Sequence, residues 1–129
     1  MAALGLVSVV VKDYDKAIDF YVNKAGFYLQ QDERLSETKR WVVVCPDKSS
    51  ASAGILLAKA DSPEQNAVVG NQGGGRVWLF LHVKDFWNSY NQMKANGVEF
   101  LEQPREEVYG CVCVWQDLYG NKWDLLEKK

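Results

Sequence analysis

Two stretches of the chain show the same pattern of apolar and polar positions. Each begins with a run rich in valine, leucine and aromatic residues, 4–11 and 76–83, and such a run predicts a buried strand. Apolar residues at helical spacing follow each run. An aspartate before each helix can act as its N-cap, and a glycine after it can supply the left-handed stop: Asp13 and Gly26, then Asp85 and Gly97. The matching strands and helices indicate two similar units.

Three more strand patterns follow each predicted helix. The first half contains FYLQQ, RWVVVC and AGILLA, and the second contains VEFLEQ, YGCVCVW and NKWDLLE. Each half is therefore predicted to be a βαβββ unit, the first over residues 4–58 and the second over 76–127. Residues 59–75 are polar and rich in glycine, which predicts a flexible connector. With 129 residues, the chain is expected to form a single domain, 1–129.

Composition and charge argue against several classes of function. The chain is 47% hydrophobic and 25% charged, its formal net charge is −2, and its basic residues form no cluster. No nucleic-acid partner is therefore expected. No apolar run is long enough to span a membrane, and the apolar N-terminus lacks the basic residues of a signal peptide, so we expect a cytoplasmic protein. The three cysteines, Cys45, Cys111 and Cys113, form no C-x-x-C pair and are predicted to be reduced core residues.

Several short phrases resemble one known superfamily. They are the repeated strand-Asp-helix phrase, the DFY of the first helix with its later Gly-Phe, and the C-terminal DLYGNKWDLLE. Together they resemble the vicinal oxygen chelate superfamily, which groups glyoxalase I, bleomycin-resistance proteins, fosfomycin-resistance enzymes and extradiol dioxygenases. The last phrase is similar to the family's Asp-Pro-x-Gly-Asn turn, with Leu118 in place of the proline. The resemblance implies an α+β fold whose two βαβββ units form a cupped mixed β-sheet, with helices outside and the ligand inside.

The same resemblance implies where a metal site would be. Metal enzymes of this superfamily hold a divalent ion with four cup-facing side chains, mostly histidine and glutamate. The corresponding positions here are Leu6, Leu56, Trp78 and Asp124. Three of the four side chains have no lone pair to offer a hard cation. We therefore expect no metal site of the usual kind and no other cofactor.

Strand alternation from these four positions predicts the remaining lining of the cup. Alternation adds Phe80 and His82 beside Trp78, Ser8 and Val10 beside Leu6, and Lys122 and Leu126 beside Asp124. For two further strands the resemblance implies the inward residues: Arg40, Val42 and Val44, then Val112, Val114 and Gln116. The opposite parity, with Trp41, Cys45, Cys113 and Trp115, is expected to pack under the helices. The predicted ligand-binding residues are Arg40, Trp78, Phe80, His82, Gln116 and Asp124. Such an apolar, aromatic surface with a few polar points is typical of a small-molecule site.

Three functions remain open at this point. The chain is either a protein that binds a small aromatic or cationic molecule without metal, as in the bleomycin-resistance branch, or an enzyme of the same superfamily. The enzyme, of the lyase, isomerase or dioxygenase type, would use His82 with Asp124 or Arg40, or an unidentified metal site. Otherwise the cup is filled by its own side chains, and His82, Trp78 and Phe80 are structural. The resemblance also implies a homodimer, because relatives commonly pair sheet edges or exchange halves.

Overall fold

The computed structural model describes residues 1–129, which divide into two compact units, Met1–Val69 and Gly70–Lys129. Both units combine one mixed β-sheet with few helices, so the predicted α+β class is confirmed. The first unit contains four strands and two short helices: β1 (Leu6–Val11), α1 (Tyr14–Ile18), β2 (Tyr28–Arg34), β3 (Arg40–Cys45), β4 (Gly54–Lys59) and α2 (Pro63–Val68). Asp13 caps α1 by accepting from the Lys16 amide. The helix then continues as a π-helical segment, Asp19–Lys24.

The first sheet has the strand order β1-β4-β3-β2, with β1 parallel to β4 and the other pairs antiparallel. Register fixes which residues share a face, because directly paired residues point to the same side. One face carries the core that packs under α1, including Val9, Val11 and Leu57, all fully buried. Val44 pairs with Ile55, and Ile55 pairs with Val7, so Val42 and Val44 also belong to this face.

The predicted orientation of β3 is therefore wrong. Arg40, Val42 and Val44 lie on the α1 side, whereas Trp41 and Cys45 share the opposite face with Val43. The error has a physical cause. In the run RWVVVC both faces are apolar, and Val42, Val43, Val44 and Cys45 are all buried, so polar and apolar residues do not alternate. Without that alternation, the sequence does not identify the face that the helix covers.

The segment predicted to be a flexible connector contains a helix. Ser62 accepts a hydrogen bond from the amide of Gln65, and Pro63 occupies the first turn of α2. Serine at the N-cap with proline directly after it is a favourable helix start, because neither position requires a backbone donor within the helix. The two compact units divide just after this helix, between Val69 and Gly70.

The second unit contains five strands and one helix: β5 (Val77–His82), α3 (Phe86–Ala95), β6 (Glu99–Phe100), β7 (Arg105–Glu107), β8 (Gly110–Gln116) and β9 (Lys122–Lys128). The sheet order is β5-β9-β8-β6, and β7 also pairs with β8. The backbone amide of Phe86, at the start of α3, donates to the Glu127 carboxylate, so the odd-numbered side of β9 faces this helix. Trp115 and Cys113 lie on that side and are fully buried, in accord with the predicted packing.

One strand is shorter than predicted, and a strand that the sequence did not predict follows it. The sequence VEFLEQ predicts a continuous strand, whereas the structure ends β6 at Phe100 and begins β7 at Arg105. Between them, the carboxylate of Glu102 accepts a hydrogen bond from the backbone amide of Val114, with 2.9 Å between the two atoms. Pro104 has no backbone donor for the ladder. The Glu102 side chain thus accepts the hydrogen bond that a backbone carbonyl would accept in a regular strand, and Glu102 lies beside β8 without being part of a paired strand.

A tight turn positions β9. The carboxylate of Asp117 accepts from the backbone amides of Tyr119, Gly120 and Asn121, and the Asn121 side-chain amide donates to its second oxygen. Asp117 and Asn121 are both buried. The Asn121 oxygen in turn accepts from the backbone amide of Gln72, which ties the start of the second unit to this turn. The turn thereby fixes the register in which β9 presents Asp124.

Candidate functional site

Four of the six predicted ligand-binding residues lie on one face of the second sheet. This face, opposite α3, is called the distal face below. Register places Phe80, Asp124 and Val114 side by side on β5, β9 and β8. His82 pairs with Leu126 and Gln116 pairs with Lys122, so both belong to the same face. The structure therefore brings Phe80, His82, Gln116 and Asp124 onto one surface, while their role in ligand binding stays a prediction.

Asp124 is a buried carboxyl group on the distal face. It lies in the middle of the central strand β9, only 8% of its surface is exposed, and its Oδ1 atom is buried without a hydrogen-bond partner. Burial disfavours the charged form and raises the pKa of this carboxyl, an effect that nearby Arg105 opposes and nearby Glu102 reinforces. An unpaired buried carboxyl oxygen costs free energy in the isolated fold.

Arg105 is the cation that opposes the rise in the pKa of Asp124, but its guanidinium already forms ion pairs with two other carboxylates. Its Nε atom lies 3.1 Å from Oε1 of Glu102, and its Nη1 atom lies 2.8 Å from Oε1 of Glu107. Register with Val112 and Leu126 puts Arg105 on the distal face. Arg105 therefore forms ion pairs with Glu102 and Glu107 and none with Asp124.

The aromatic part of the surface is Phe80. This residue is 59% exposed, although it is flanked within the sheet by the buried Asp124. Large apolar side chains in the middle of a strand are usually covered, and an exposed one beside a polar point is a feature of binding surfaces. His82, two residues further along β5, is exposed near the end of the strand.

Trp78 does not follow the simple alternation. Val77 pairs with Lys122 and Leu79 pairs with Trp123, so Trp78 is the extra residue of a β-bulge. A bulge turns its side chain away from the regular pattern, which means that alternation alone cannot assign Trp78 to a face. The residue is half-buried, and its Cβ atom lies near Gly73 in the loop before β5.

Arg40 belongs to a different environment from the other predicted residues. It lies on the α1 side of the first sheet, where its guanidinium contacts Asp32 and Asp15 at 2.7 Å and 2.9 Å and lies 5.2 Å from the centre of the Tyr14 ring. These contacts raise the pKa of Arg40 further above its ordinary value, and Arg40 lowers the pKa of Asp32. Arg40 joins β2 and β3 to α1, so we leave it out of the candidate site.

The four positions at which metal enzymes of the resembled superfamily carry ligands do not form a metal site here. Leu6 and Leu56 are aliphatic, and Trp78 offers only an indole N–H donor. No group of three or more histidine, cysteine, aspartate or glutamate side chains is arranged to hold an ion. The donor set does not fit a divalent cation, and no step of a mechanism is assigned to one.

Sequence reasoning missed Glu102 and Arg105. The signal available was Pro104, which breaks a strand and should have divided VEFLEQ from the residues after it. With β7 recognised as its own strand paired to β8, register with Val112 would have placed Arg105 on the distal face. The bond from the Val114 amide to Glu102 has no signature in the sequence, because it depends on how the chain between the two strands bends.

Comparison with known proteins supports the resemblance across almost the whole chain. A profile of the Glyoxalase/Bleomycin resistance protein/Dioxygenase superfamily matches residues 3–125. An uncharacterized protein of Shewanella frigidimarina (strain NCIMB 400) is 53% identical over 122 residues, which are 94% of this chain and 90% of that protein. These two matches extend over both units.

Two solved structures have the same fold over nearly their full lengths. A member of the glyoxalase/bleomycin resistance protein/dioxygenase superfamily from Sphaerobacter thermophilus DSM 20745 has a TM-score of 0.82 and 27% identity, covering 99% of this chain and 98% of its own. TnmS3, described as an antibiotic binding protein from Streptomyces sp. CB03234, has a TM-score of 0.81 and 26% identity, covering 100% of this chain and 98% of its own. None of the helices of the present structure has the length and hydrophobicity that a membrane crossing requires.

Proposed function

The chain belongs to the Glyoxalase/Bleomycin resistance protein/Dioxygenase superfamily, and from this premise we propose that it binds a small aromatic molecule on the distal face of the second sheet without converting it. The ligand would be held by Phe80 and Asp124, with His82, Gln116 and Trp78 around them. The similarity to TnmS3, an antibiotic binding protein, favours small-molecule binding over interaction with a macromolecule. We also propose that the protein acts in the cytoplasm and as a homodimer.

The observation that carries this proposal is the pairing of an exposed ring with a buried polar atom. Phe80 exposes more than half of its surface, and its neighbour Asp124 carries a buried Oδ1 atom that has no hydrogen-bond partner. Planar aromatic ligands gain contact area and favourable ring geometry on such a side chain. A nearby polar group then fixes the orientation of the ligand, as in most small-molecule sites.

The alternative of an enzyme that uses His82 with Asp124 lacks its key contact. A general base and the group that orients it normally lie within hydrogen-bond distance of each other. His82 is exposed, and Oδ1 of Asp124 has no partner. The geometry supplies no activated nucleophile or oriented base, so binding is the function it supports best.

A thermal-shift screen against antibiotics and planar aromatic metabolites tests the proposal, because a ligand that binds only the folded state raises its melting temperature. For any hit, Phe80→Ala should weaken binding about tenfold, the loss expected from removing one ring contact of about 1.4 kcal/mol. Isothermal titration calorimetry measures the change in Kd. Mass spectrometry of the recovered ligand should show the same molecule that was added.

Trp87→Ala provides the matched control, since Trp87 is a similarly exposed aromatic side chain of the same unit but lies on α3. It should leave the Kd unchanged. Loss of binding in the Trp87 variant with full binding in the Phe80 variant would contradict the proposal. Conversion of the ligand by the wild type, abolished in His82→Ala, would replace it with the enzymatic alternative.

A further inference from the structure

The charged groups of the distal face are unequally paired. Asp124 is more than nine-tenths buried, and its Oδ1 atom has no hydrogen-bond partner. In a folded protein such an oxygen is normally paired with a donor or an ion. The missing partner therefore defines what a ligand has to supply at this point.

Arg105 is the obvious candidate for an internal counter-ion, and the structure shows why it does not fill that role. Its guanidinium binds Glu102 and Glu107 through two different nitrogen atoms, so its charge is already shared by two carboxylates. Glu102 is itself fixed, because its other oxygen accepts the Val114 amide. Moving Arg105 toward Asp124 would break at least one ion pair.

Lysine side chains do not provide the counter-ion either. Lys122 is on the same strand and the same face, but its Nζ atom donates to the carbonyl oxygen of Gly75 at 3.1 Å. That bond directs the ammonium group toward the loop before β5 and away from the strand centre. Asp124 is thus left as a carboxyl group with no committed cation.

Resting on the proposed function, we infer that the ligand of the distal face is a cation, whose charged or N–H group binds Oδ1 of Asp124 while its aromatic ring lies against Phe80. Glu102 and Glu107 take up the ion pairs of Arg105, so that Asp124 forms none with it. The face of an aromatic ring also attracts a cation, so Phe80 favours the same ligand charge. The ligand class is a planar aromatic amine or iminium compound.

Three planar tricyclic probes of similar size test the inference: 9-aminoacridine, which is a cation at neutral pH, acridone, which is uncharged, and anthraquinone-2-carboxylate, which is an anion. Calorimetry or probe fluorescence at pH 7 gives the three Kd values. We expect 9-aminoacridine to bind about ten- to a hundredfold more tightly than acridone, the range for a hydrogen bond to a charged group. The anion should bind most weakly.

Two variants test whether Asp124 causes the preference for a cationic probe. Asp124→Asn should raise the Kd of 9-aminoacridine to that of acridone and leave acridone unchanged. Glu106→Gln is the control, since Glu106 is an exposed carboxylate of β7 that points to the opposite face. It should change none of the three Kd values.

The outcomes separate this inference from the proposed function. Tighter binding of acridone or anthraquinone-2-carboxylate than of 9-aminoacridine by the wild type would overturn the cation preference, and this ranking needs no variant to fold. If binding of those probes still falls in Phe80→Ala, the proposed function stands and only the ligand charge is wrong. If no probe binds at millimolar concentration, both are overturned.

Discussion

At the scale of single residues, Asp124 is a buried group that lowers the stability of the fold. A carboxyl group loses its hydration when it is buried, and here no protein donor compensates for that loss at Oδ1. The neighbouring positions on β9, Trp123 and Leu125, are buried apolar residues that stabilise the core under α3. Asp124 has no comparable structural role, which is the usual sign that a residue serves binding at the expense of stability.

Asp124→Asn should therefore stabilise the protein while it weakens cation binding. Because the pKa of Asp124 is raised in the folded state, the folded protein holds this proton more tightly than the unfolded chain. The contribution of Asp124 to the stability of the wild type is therefore lost as the pH rises. The loss begins at about pH 4, where the carboxyl group ionises in the unfolded chain, and continues through its raised pKa in the folded state. Thermal melts between pH 3 and pH 7 should show the advantage of the variant growing with pH. A variant less stable than the wild type at pH 7 would contradict this account.

At the scale of elements, Arg40 shows that a charged residue at the start of a strand can join elements instead of binding a ligand. Its Nε and Nη2 atoms contact both oxygens of Asp32 on the paired strand β2, at 3.1 Å and 2.7 Å. Its Nη1 atom contacts Asp15 on α1. The pair with Asp32 is bidentate, with side chains only 21% and 31% exposed, whereas the Asp15 side chain is 82% exposed.

These two pairs should differ in strength. Asp32→Asn should lower the free energy of unfolding by about 1 kcal/mol, and Asp15→Asn by less than about 0.5 kcal/mol, because exposed ion pairs are weak and bidentate ones are stronger. Urea unfolding at pH 7 measures both. Since the pKa of Asp32 is lowered by Arg40, its contribution is present at neutral pH and is lost as the pH falls below the ordinary carboxyl range. A larger loss in the Asp15 variant would show that α1, and not β2, depends on Arg40.

Most elements could be predicted from the sequence because their patterns are local. The strand RWVVVC was predicted with its observed limits, Arg40–Cys45, and the caps Asp13 and Asp85 begin their helices as expected. The face of β3 could not be predicted, because both sides of that strand are buried. The distal face could be predicted in part: the family resemblance pointed to Asp124, and alternation from Trp78 pointed to Phe80. Both missed Arg105, whose position depends on the break before β7.

At the scale of the whole molecule, the repeated units do not repeat their chemistry. The four-stranded sheet of the first unit has aliphatic side chains at Leu6 and Leu56, on the face opposite α1. The five-stranded sheet of the second unit has Asp124 and Phe80 on its distal face, with the ion pairs of Arg105 beside them. The additional strand β7, absent from the first unit, carries Arg105 and Glu107. The binding residues that we propose therefore lie on strands that both units share, and the units differ in the side chains on these strands and in the ion pairs that β7 adds.

The sheet edges give the last prediction, a homodimer. Strand β1 ends one sheet and β5 ends the other, and their sequences, LVSVVV and VWLFLH, contain no lysine, proline or acidic residue. Apolar edge strands without such protection tend to pair with another chain. Light scattering at tens of micromolar should give about twice the 14.6 kDa of one chain. Ser8→Lys places a charge at an exposed position of β1 and should shift the mass toward the monomer, whereas Asn91→Lys at an exposed position of α3 should not. A wild type that is monomeric at this concentration would rule out the dimer.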